Sequence, residues 1–326
     1  MKALYCVEWG EPETLVYGDL PDPIAGADEV VISVRSIGLN FFDSLLVRGK
    51  YQRRPAFPFS PGHEVAGVVD SVGTNVRGIR PGDRVLGAPV ANGTAEKVVV
   101  GQEQVFKLPD EVDFDRGAGL IASYTTALYA LKYRGNAQAG ETVAVLGAAG
   151  GTGIAACEIG KALGLRVIAC ASSDTKLSFA RDYGAELTVN YSSHDLKDEL
   201  RRLTDGRGVD LVVDPVGDRF SESALRALAW GGRHLVIGFA AGEIPRIPLN
   251  LALLKGCDIR GVSKGGWVKE APEEVRAASE LLIGWVAEKK IKVPVFQAYS
   301  LQQTPEALNV LASGRAMGKI IIKVGP

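Results

Sequence analysis

The chain has 326 residues, with 37 Lys plus Arg against 38 Asp plus Glu and a formal net charge of −1. A hydrophobic fraction of 46% with 23% charged residues excludes a disordered chain, and the charge balance argues against a protein built to coat nucleic acid. The length suits about two domains of ordinary size.

Glycine stands out: 39 residues, about 12% against a usual 7% or so, which implies many tight turns. Cys6, Cys157, Cys170 and Cys257 are too dispersed to form a C-x-x-C clip and read as small buried hydrophobes in a reducing compartment. The N-terminus meets Glu8 before a signal-peptide core develops. The longest uncharged stretch, Gly117 to Leu131, falls short of the roughly 20 residues of a membrane helix. A cytoplasmic protein with no membrane and no nucleic-acid partner is the expectation.

In chain order, the first third alternates short β-type runs with turns. Val30 to Val34, Glu64 to Val69, Arg84 to Leu86 and Glu96 to Val100 read as strands. Pro58 to Gly62, Gly73 to Asn75 and Pro81 to Asp83 read as the punctuation between them. This rhythm predicts an antiparallel, barrel-like unit, with a short helix over Asn40 to Val47 capped by Asn40.

The middle third alternates buried strands with helices. Strands are predicted at Thr142 to Leu146, Arg166 to Cys170, Leu187 to Val189, Val209 to Val213 and Arg233 to Ile237. Helices are predicted at Ile154 to Leu163, Asp174 to Tyr183, Ser193 to Leu203 and Ser221 to Ala229. Such alternation predicts a parallel, doubly wound sheet. In the last third, helices are expected at Pro272 to Glu288 and Thr304 to Ala312, and strands at Val295 to Tyr299 and Gly318 to Val324. The tail lacks a nucleotide motif of its own and is assigned back to the first domain.

Between the strand ending at Leu146 and the following helix lies Gly147-Ala148-Ala149-Gly150-Gly151-Thr152-Gly153. It reads A-x-G-x-x-G, with Ala148 in place of the first glycine. In a strand–turn–helix context this predicts a dinucleotide pyrophosphate at the helix N-terminus. Gly150 admits the phosphates and Gly153 permits close helix–sheet contact, while a purely structural turn is the competing reading. The second strand runs into Ala171-Ser172-Ser173, with no carboxylate at its end to hold a ribose 2′-hydroxyl. Ser172 and Lys176 suit a 2′-phosphate, so NADPH is the expected cofactor; Asp174 reads as the cap of the next helix.

Several segments together resemble the zinc-independent quinone oxidoreductases (zeta-crystallin-like) of the medium-chain dehydrogenase/reductase superfamily. They are Gly38 to Asp43, Gly49 to Tyr51, Pro61 to Val69, Gly82 to Val85, Ala148 to Gly153, Asn190-Tyr191, Asp214 to Gly217 and Gly318 to Ile320. The resemblance implies an α/β fold: a Rossmann doubly wound parallel sheet inserted in a GroES-like β-barrel domain. The implied domains are residues 1–122 and 262–326 for the catalytic part and 123–261 for the NADPH-binding part. It implies an NADPH-dependent oxidoreductase transferring hydride to a small-molecule quinone or α,β-unsaturated carbonyl. It also implies a homodimer, paired through the sheet edge near Leu249 to Arg260.

By the same resemblance Asn40, Asp43 and Tyr51 border the reacting groups. Thr126 and Phe239 lie by the nicotinamide, Gly150, Gly151, Thr152 and Gly153 hold the pyrophosphate, and Ser172, Lys176 and Tyr191 hold the adenosine end. Each has a plainer reading: Asn40 as a helix cap, Asp43 as a surface carboxylate, Tyr51 as a loop aromatic, Phe239 as core. Zinc-dependent relatives carry a Cys, the His of Gly-His-Glu and a third ligand. Here Gly62-His63-Glu64 is present, but Asn40 and Ala122 fall at the other positions. One imidazole does not make a three-ligand catalytic zinc, so no metal is expected.

Two rivals remain. One is an enoyl thioester reductase, with Arg48, Lys50, Arg53 and Arg54 as a basic rim. The other is a non-catalytic NADPH- or RNA-binding crystallin-like protein, which the lack of a basic stripe disfavours.

Overall fold

The computed structural model describes residues 1–325 and divides the chain into two compact units, Met1–Ser123 with Glu273–Pro326, and Tyr124–Pro272. The chain leaves the first unit close to the expected residue 122. It returns at 273, against the expected 262, because the segment after 261 stays with the second unit. There Trp267 is buried and stacks on Tyr129 at 4.4 Å.

The first unit begins with an antiparallel pair, β1 (Lys2–Tyr5) and β2 (Val16–Asp19). Its main sheet contains β3 (Glu29–Leu39), β4 (Val65–Val72), β5 (Arg84–Gly87), β6 (Lys97–Gly101) and β7 (Val105–Lys107). Strand β3 is the spine: β4 and β6 both pair with it antiparallel. Val30, Ile32 and Val34 are buried with Val65, Val85, Val98 and Val100, and Val31 between them is buried as well, so this apolar run is legible as a strand. Helix α1 (Phe41–Val47) follows β3 directly, and α2 (Phe114–Ala118) precedes α3 (Ile121–Leu128).

The second unit holds β8 (Thr142–Leu146), α4 (Gly151–Ala162), β9 (Arg166–Ala171), α5 (Asp174–Asp182) and β10 (Leu187–Asn190). Then come α6 (Leu196–Arg202), β11 (Val209–Asp214), α7 (Asp218–Arg226), β12 (Leu228–Val236), α8 (Asn250–Lys255), β13 (Asp258–Gly261) and α9 (Lys264–Glu270). The sheet order is β10-β9-β8-β11-β12-β13 and every pairing is parallel. The order reverses at β8, so the first strand lies beside both β9 and β11, the arrangement that puts ligands at strand C-termini. Every residue of β8 is buried, as a strand covered on both faces requires.

The chain returns through α10 (Pro272–Ala287), β14 (Val295–Ser300), α11 (Thr304–Ala312) and β15 (Lys319–Lys323). Strand β15 pairs antiparallel with β3, and β14 pairs parallel with β15. The first unit's sheet is therefore mixed rather than wholly antiparallel: α11 is the crossover that a parallel neighbour demands. Several expected boundaries shift: α4 begins at Gly151 rather than Ile154, and α6 at Leu196 rather than Ser193. Helix α7 begins at Asp218, three residues before the expected Ser221, and β12 begins at Leu228, inside the expected end of that helix.

Candidate functional site

In the second unit, the ends of β8, β9 and β10 lie side by side, with Leu146 opposite Cys170 and Ala171 opposite Asn190. The chain turns out of β8 at Gly147, whose φ of 57° is left-handed. A Cβ on Gly153 would come within 2.2 Å of the Gly147 carbonyl oxygen, so only glycine lets α4 start this close to the turn. Gly150 is the opposite case: the nearest atom to a Cβ there is the same oxygen at 3.4 Å, and the rest is open. Gly150 is the N-cap of α4 and no side chain caps that helix. The first-turn amides at Gly151, Thr152 and Gly153 and the positive end of the helix dipole are left to an anion. Ala148 is fully buried and its amide donates to the Cys170 carbonyl at 3.1 Å, so it shapes the turn from beneath.

Strand β9 ends at Ala171 without a carboxylate. Lys176 Nζ donates to Ser172 Oγ at 3.2 Å, which brings an ammonium and a hydroxyl together there. The cap of α5 is Ser173, which accepts from the Lys176 amide; Asp174, expected as the cap, is the first helical residue and accepts from Asn190 Nδ2 at 2.9 Å. Tyr191 donates its amide to the Ala171 carbonyl and rests its ring on Phe220 at 4.4 Å. Burial pushes its phenol up to about 12. These features fit a dinucleotide with a 2′-phosphate: an open glycine cradle, uncapped helix amides, and a cation in place of a carboxylate.

Asp214, at the end of β11, organises a second loop. Its Oδ1 accepts from the Val216 and Gly217 amides, both at 2.9 Å, and its Oδ2 from Ser221 Oγ at 2.5 Å. His234 Nε2 sits 3.0 Å from the same Oδ2. Burial works to raise the Asp214 carboxyl, but the bond and charge of His234, with Gly217 and Ser221, outweigh it and hold it below the usual range. Phe239 packs over this loop, and together with Ser221, His234 and Val236 it lines a cavity of about 30 Å³. Thr126 is half-buried on α3.

In the first unit, Asn40 stands at the N-cap position of α1 and its amide donates to the Asp43 carboxylate, but its own side chain makes no cap hydrogen bond and turns instead to Glu64 and Lys319. Asp43 is fully buried, not a surface carboxylate: Oδ2 accepts from the Asn40 amide at 2.8 Å, and Oδ1 meets Gly62 N at 3.0 Å and His63 Nδ1 at 2.8 Å. His63 Nε2 has no partner among the described residues. Phe42 lies edge-on to His63 at 4.7 Å and stacked on Tyr51 at 5.5 Å, which ties Tyr51 to the same cluster. Tyr51 is half-buried, and burial followed by the Asp43 charge raises its phenol above its ordinary value.

The sequence reading missed Lys319. Its Nζ donates to Glu64 Oε1 at 2.6 Å and to Asn40 Oδ1 at 2.7 Å, with only 1% of either charged side chain exposed. Asn40 Nδ2 donates to Glu64 Oε1 at 2.9 Å, and the Ala122 amide donates to Glu64 Oε2 at 2.7 Å. The signal was present in Gly318-Lys319-Ile320-Ile321-Ile322: a lysine entering an apolar strand. Among the described residues no group of three or more His, Cys, Asp or Glu can hold a metal ion. Asn40 and Ala122, at the expected ligand positions, are engaged by Lys319 and Glu64. The donor set does not fit a catalytic zinc.

No helix of the described residues is long and apolar enough to cross a membrane. The sequence model of the family described as alcohol dehydrogenase GroES-like domain matches residues 26–132, and that described as zinc-binding dehydrogenase matches residues 151–283. Over 324 residues the chain is 36% identical to the quinone oxidoreductase-like protein 2 homolog of Nematostella vectensis, covering 98% of this chain and 88% of that protein. It is 32% identical to the human quinone oxidoreductase, covering 99% and 97%. Among solved structures it resembles the Escherichia coli quinone oxidoreductase complexed with NADPH, with a TM-score of 0.92 and 28% identity, covering 99% of this chain and all of that one.

Proposed function

Because this chain belongs to the quinone oxidoreductase-like family of medium-chain dehydrogenases/reductases, and is an oxidoreductase, we propose that it is a zinc-independent, NADPH-dependent reductase of quinones or α,β-unsaturated carbonyls. The observation that carries this reading is the Lys176–Ser172 pair at the carboxylate-free end of β9, beside the open cradle at Gly150. It favours a phosphorylated ribose, and the similar Escherichia coli enzyme is complexed with NADPH.

Bound there, NADPH supplies a hydride. The amides at Gly151, Thr152 and Gly153 bind the pyrophosphate over the turn that Ala148 supports. Ser172, Lys176 and Tyr191 bind the adenosine end, and Thr126 and Phe239 border the nicotinamide. Tyr51, whose phenol stays protonated across neutral pH, donates a hydrogen bond to the acceptor's oxygen. Asp43 fixes Asn40, Gly62 and His63 in one arrangement, so the wall of the site is set before the acceptor arrives. Holding nicotinamide and acceptor in near-attack geometry can supply roughly 7–11 kcal/mol of the barrier.

The test mixes purified protein with NADPH or NADH and a panel of quinones and enones, following loss of nicotinamide absorbance. Turnover with NADPH supports the reading, and none with any acceptor overturns it. One observation favours an enoyl thioester as the acceptor: Arg53 and Arg54 donate to the Val90 and Gly49 carbonyls and, among the described residues, form no ion pair, leaving charge for an anionic tail. Faster turnover of crotonyl-CoA than of any quinone decides for it.

We infer a homodimer as well, from the apolar exposure of Trp230, Leu249, Leu253, Leu254 and Ile259 around the edge strand β13. The four buried cysteines, all free, suit a reducing compartment, and we assign the protein to the cytoplasm.

A further inference from the structure

We propose that Lys319 is a positioning residue of this reductase: it locks and polarises the Asn40 carboxamide so that one amide proton is presented to the acceptor's oxygen. The inference rests on the reductase reading above and assigns a role to a lysine 279 residues away in sequence.

Lysine carries only donors, so the atom of Asn40 facing its ammonium at 2.7 Å has to be the oxygen. That fixes the amide orientation, which for most asparagines is open to a flip. Ser123 Oγ, 3.4 Å from the same oxygen and 3.5 Å from Lys319 Nζ, closes the far side. With the oxygen so held, one Nδ2 proton goes to Glu64 Oε1 at 2.9 Å. The second has only the Gly38 carbonyl at 3.5 Å, a long contact with little strength. Among the polar side chains of this lattice Asn40 is the most exposed, at 8% against 1% for Glu64 and Lys319 and 3% for Ser123.

The electrostatics point the same way. A cation against the carboxamide oxygen draws electron density from the nitrogen and makes its free proton a better donor, and the effect is larger in a dry interior. Glu64 is essential to this: both of its oxygens are spent, one on Lys319 and Asn40 and the other on the Ala122 amide. The carboxylate faces the ammonium at 2.6 Å and holds it in place against the carboxamide oxygen. Lys319 reaches it because β15 pairs with β3 in a register that puts Ile320 opposite Leu39, next to Asn40.

The experiment compares wild type, Lys319→Met and the double variant Glu64→Gln with Lys319→Met, reading Tm, NADPH dissociation constant, and kcat and KM for a quinone. The single variant leaves an uncompensated buried carboxylate and lowers Tm; the double removes both charges and recovers it. The expected result is that the double variant, with Tm and NADPH affinity back near wild type, keeps a kcat at least about tenfold low, equivalent to about 1.4 kcal/mol. Recovery of kcat together with Tm overturns the proposal. If the double variant stays unstable, a cycle of Lys319→Gln, Asn40→Ala and both together asks the same question. Loss of the Lys319→Gln effect on kcat in the Asn40→Ala background supports action through Asn40, and full additivity overturns it. Wild type run alongside separates the failures: no quinone turnover by wild type defeats the parent reading, whereas the outcomes above bear on Lys319 alone.

Discussion

Asp43 Oδ1 lies 2.8 Å from Nδ1 of His63, and the carboxylate is fully buried. A carboxylate only accepts, so the proton between them sits on Nδ1. Asp43 collects three donors in all, from Asn40, Gly62 and His63, so it ties the start of α1 to the loop before β4. Asp43→Ala should strand these donors and destabilise the protein by about 3–5 kcal/mol, and Asp43→Asn by about half of that. Urea unfolding of both variants checks it. A loss under 1 kcal/mol for the alanine would show that the cluster is not a structural tie.

The two glycines of the turn should part company. Gly150→Ala adds a methyl into open space, so the fold should tolerate it with an unchanged Tm. Yet the methyl stands where the pyrophosphate is proposed to lie, so the NADPH dissociation constant should rise at least about tenfold, or about 1.4 kcal/mol. Gly153→Ala collides with the Gly147 carbonyl and should lower both Tm and affinity. Calorimetric titration beside thermal melts distinguishes them. A Gly150→Ala protein that binds NADPH as wild type does would remove the cradle from the site.

Lys176→Ala should cost NADPH affinity about 10- to 30-fold, about 1.4–2 kcal/mol for a charge-assisted phosphate contact, and leave NADH binding unchanged. Equal losses for both coenzymes would mean that Lys176 supports the fold at the end of β9 and does not read the 2′-phosphate.

Much of the second unit was legible because its inner strands, β8, β9 and β11, are buried on both faces. Thr142 to Leu146 is an unbroken apolar run, and the glycine turn follows it directly. The first unit was harder. Strands β1 and β2 are short, and β2 is almost wholly exposed, so no alternation marks it. The parallel pairing of β14 with β15 is a tertiary fact with no local signature. Lys319 is the clearest loss. Alone, a lysine at a strand start reads as solvated, and only the pairing of β15 with β3 carries it to Glu64 and Asn40. Asp43 was misjudged in its plainer reading for the same reason, since its partners Gly62 and His63 come from a distant loop.

Tyr51 gives a pH prediction. Burial and the Asp43 charge raise its phenol above the ordinary value of about 10, so it remains a donor throughout the neutral range. The kcat/KM of wild type should therefore show no alkaline fall below about pH 10 attributable to this group. Tyr51→Phe should lower kcat/KM about 100-fold with NADPH affinity unchanged. An alkaline limb near pH 8 that Tyr51→Phe abolishes would contradict the raised value.

The Asp214 carboxyl gives a second, of opposite sign. Held below its unfolded value, it contributes stability that is complete above about pH 4 and disappears as the pH falls through the depressed folded value. Asp214→Asn should be about 2–4 kcal/mol less stable at pH 7, because His234, Ser221 and two amides lose a charged acceptor. The gap to wild type should narrow as the pH drops below about 4. Unfolding curves from pH 3 to 7 test this, and a gap that widens in acid would reverse the assignment.

The edge of the parallel sheet tests the assembly. Strand β13 has β12 on one side only, and Ile259 on it is 44% exposed. Helix α8 beside it turns Leu253 and Leu254 outward, and Trp230 is exposed too. An unprotected strand edge flanked by large apolar side chains invites a second strand, and monomers rarely leave such a surface uncovered. A second copy meets both needs at once, since two-fold pairing of β13 with itself satisfies the edge and covers the leucines. Light scattering at micromolar concentration should give a particle of two 34.6-kDa chains. Leu254→Asp with Ile259→Asp should reduce it to one chain, because a charge on each side of the axis meets its own copy. These positions lie away from the glycine turn in sequence, so NADPH affinity should survive in the monomer. A wild-type particle of one chain, or an aspartate variant that stays paired, would show that the apolar edge serves something other than self-association.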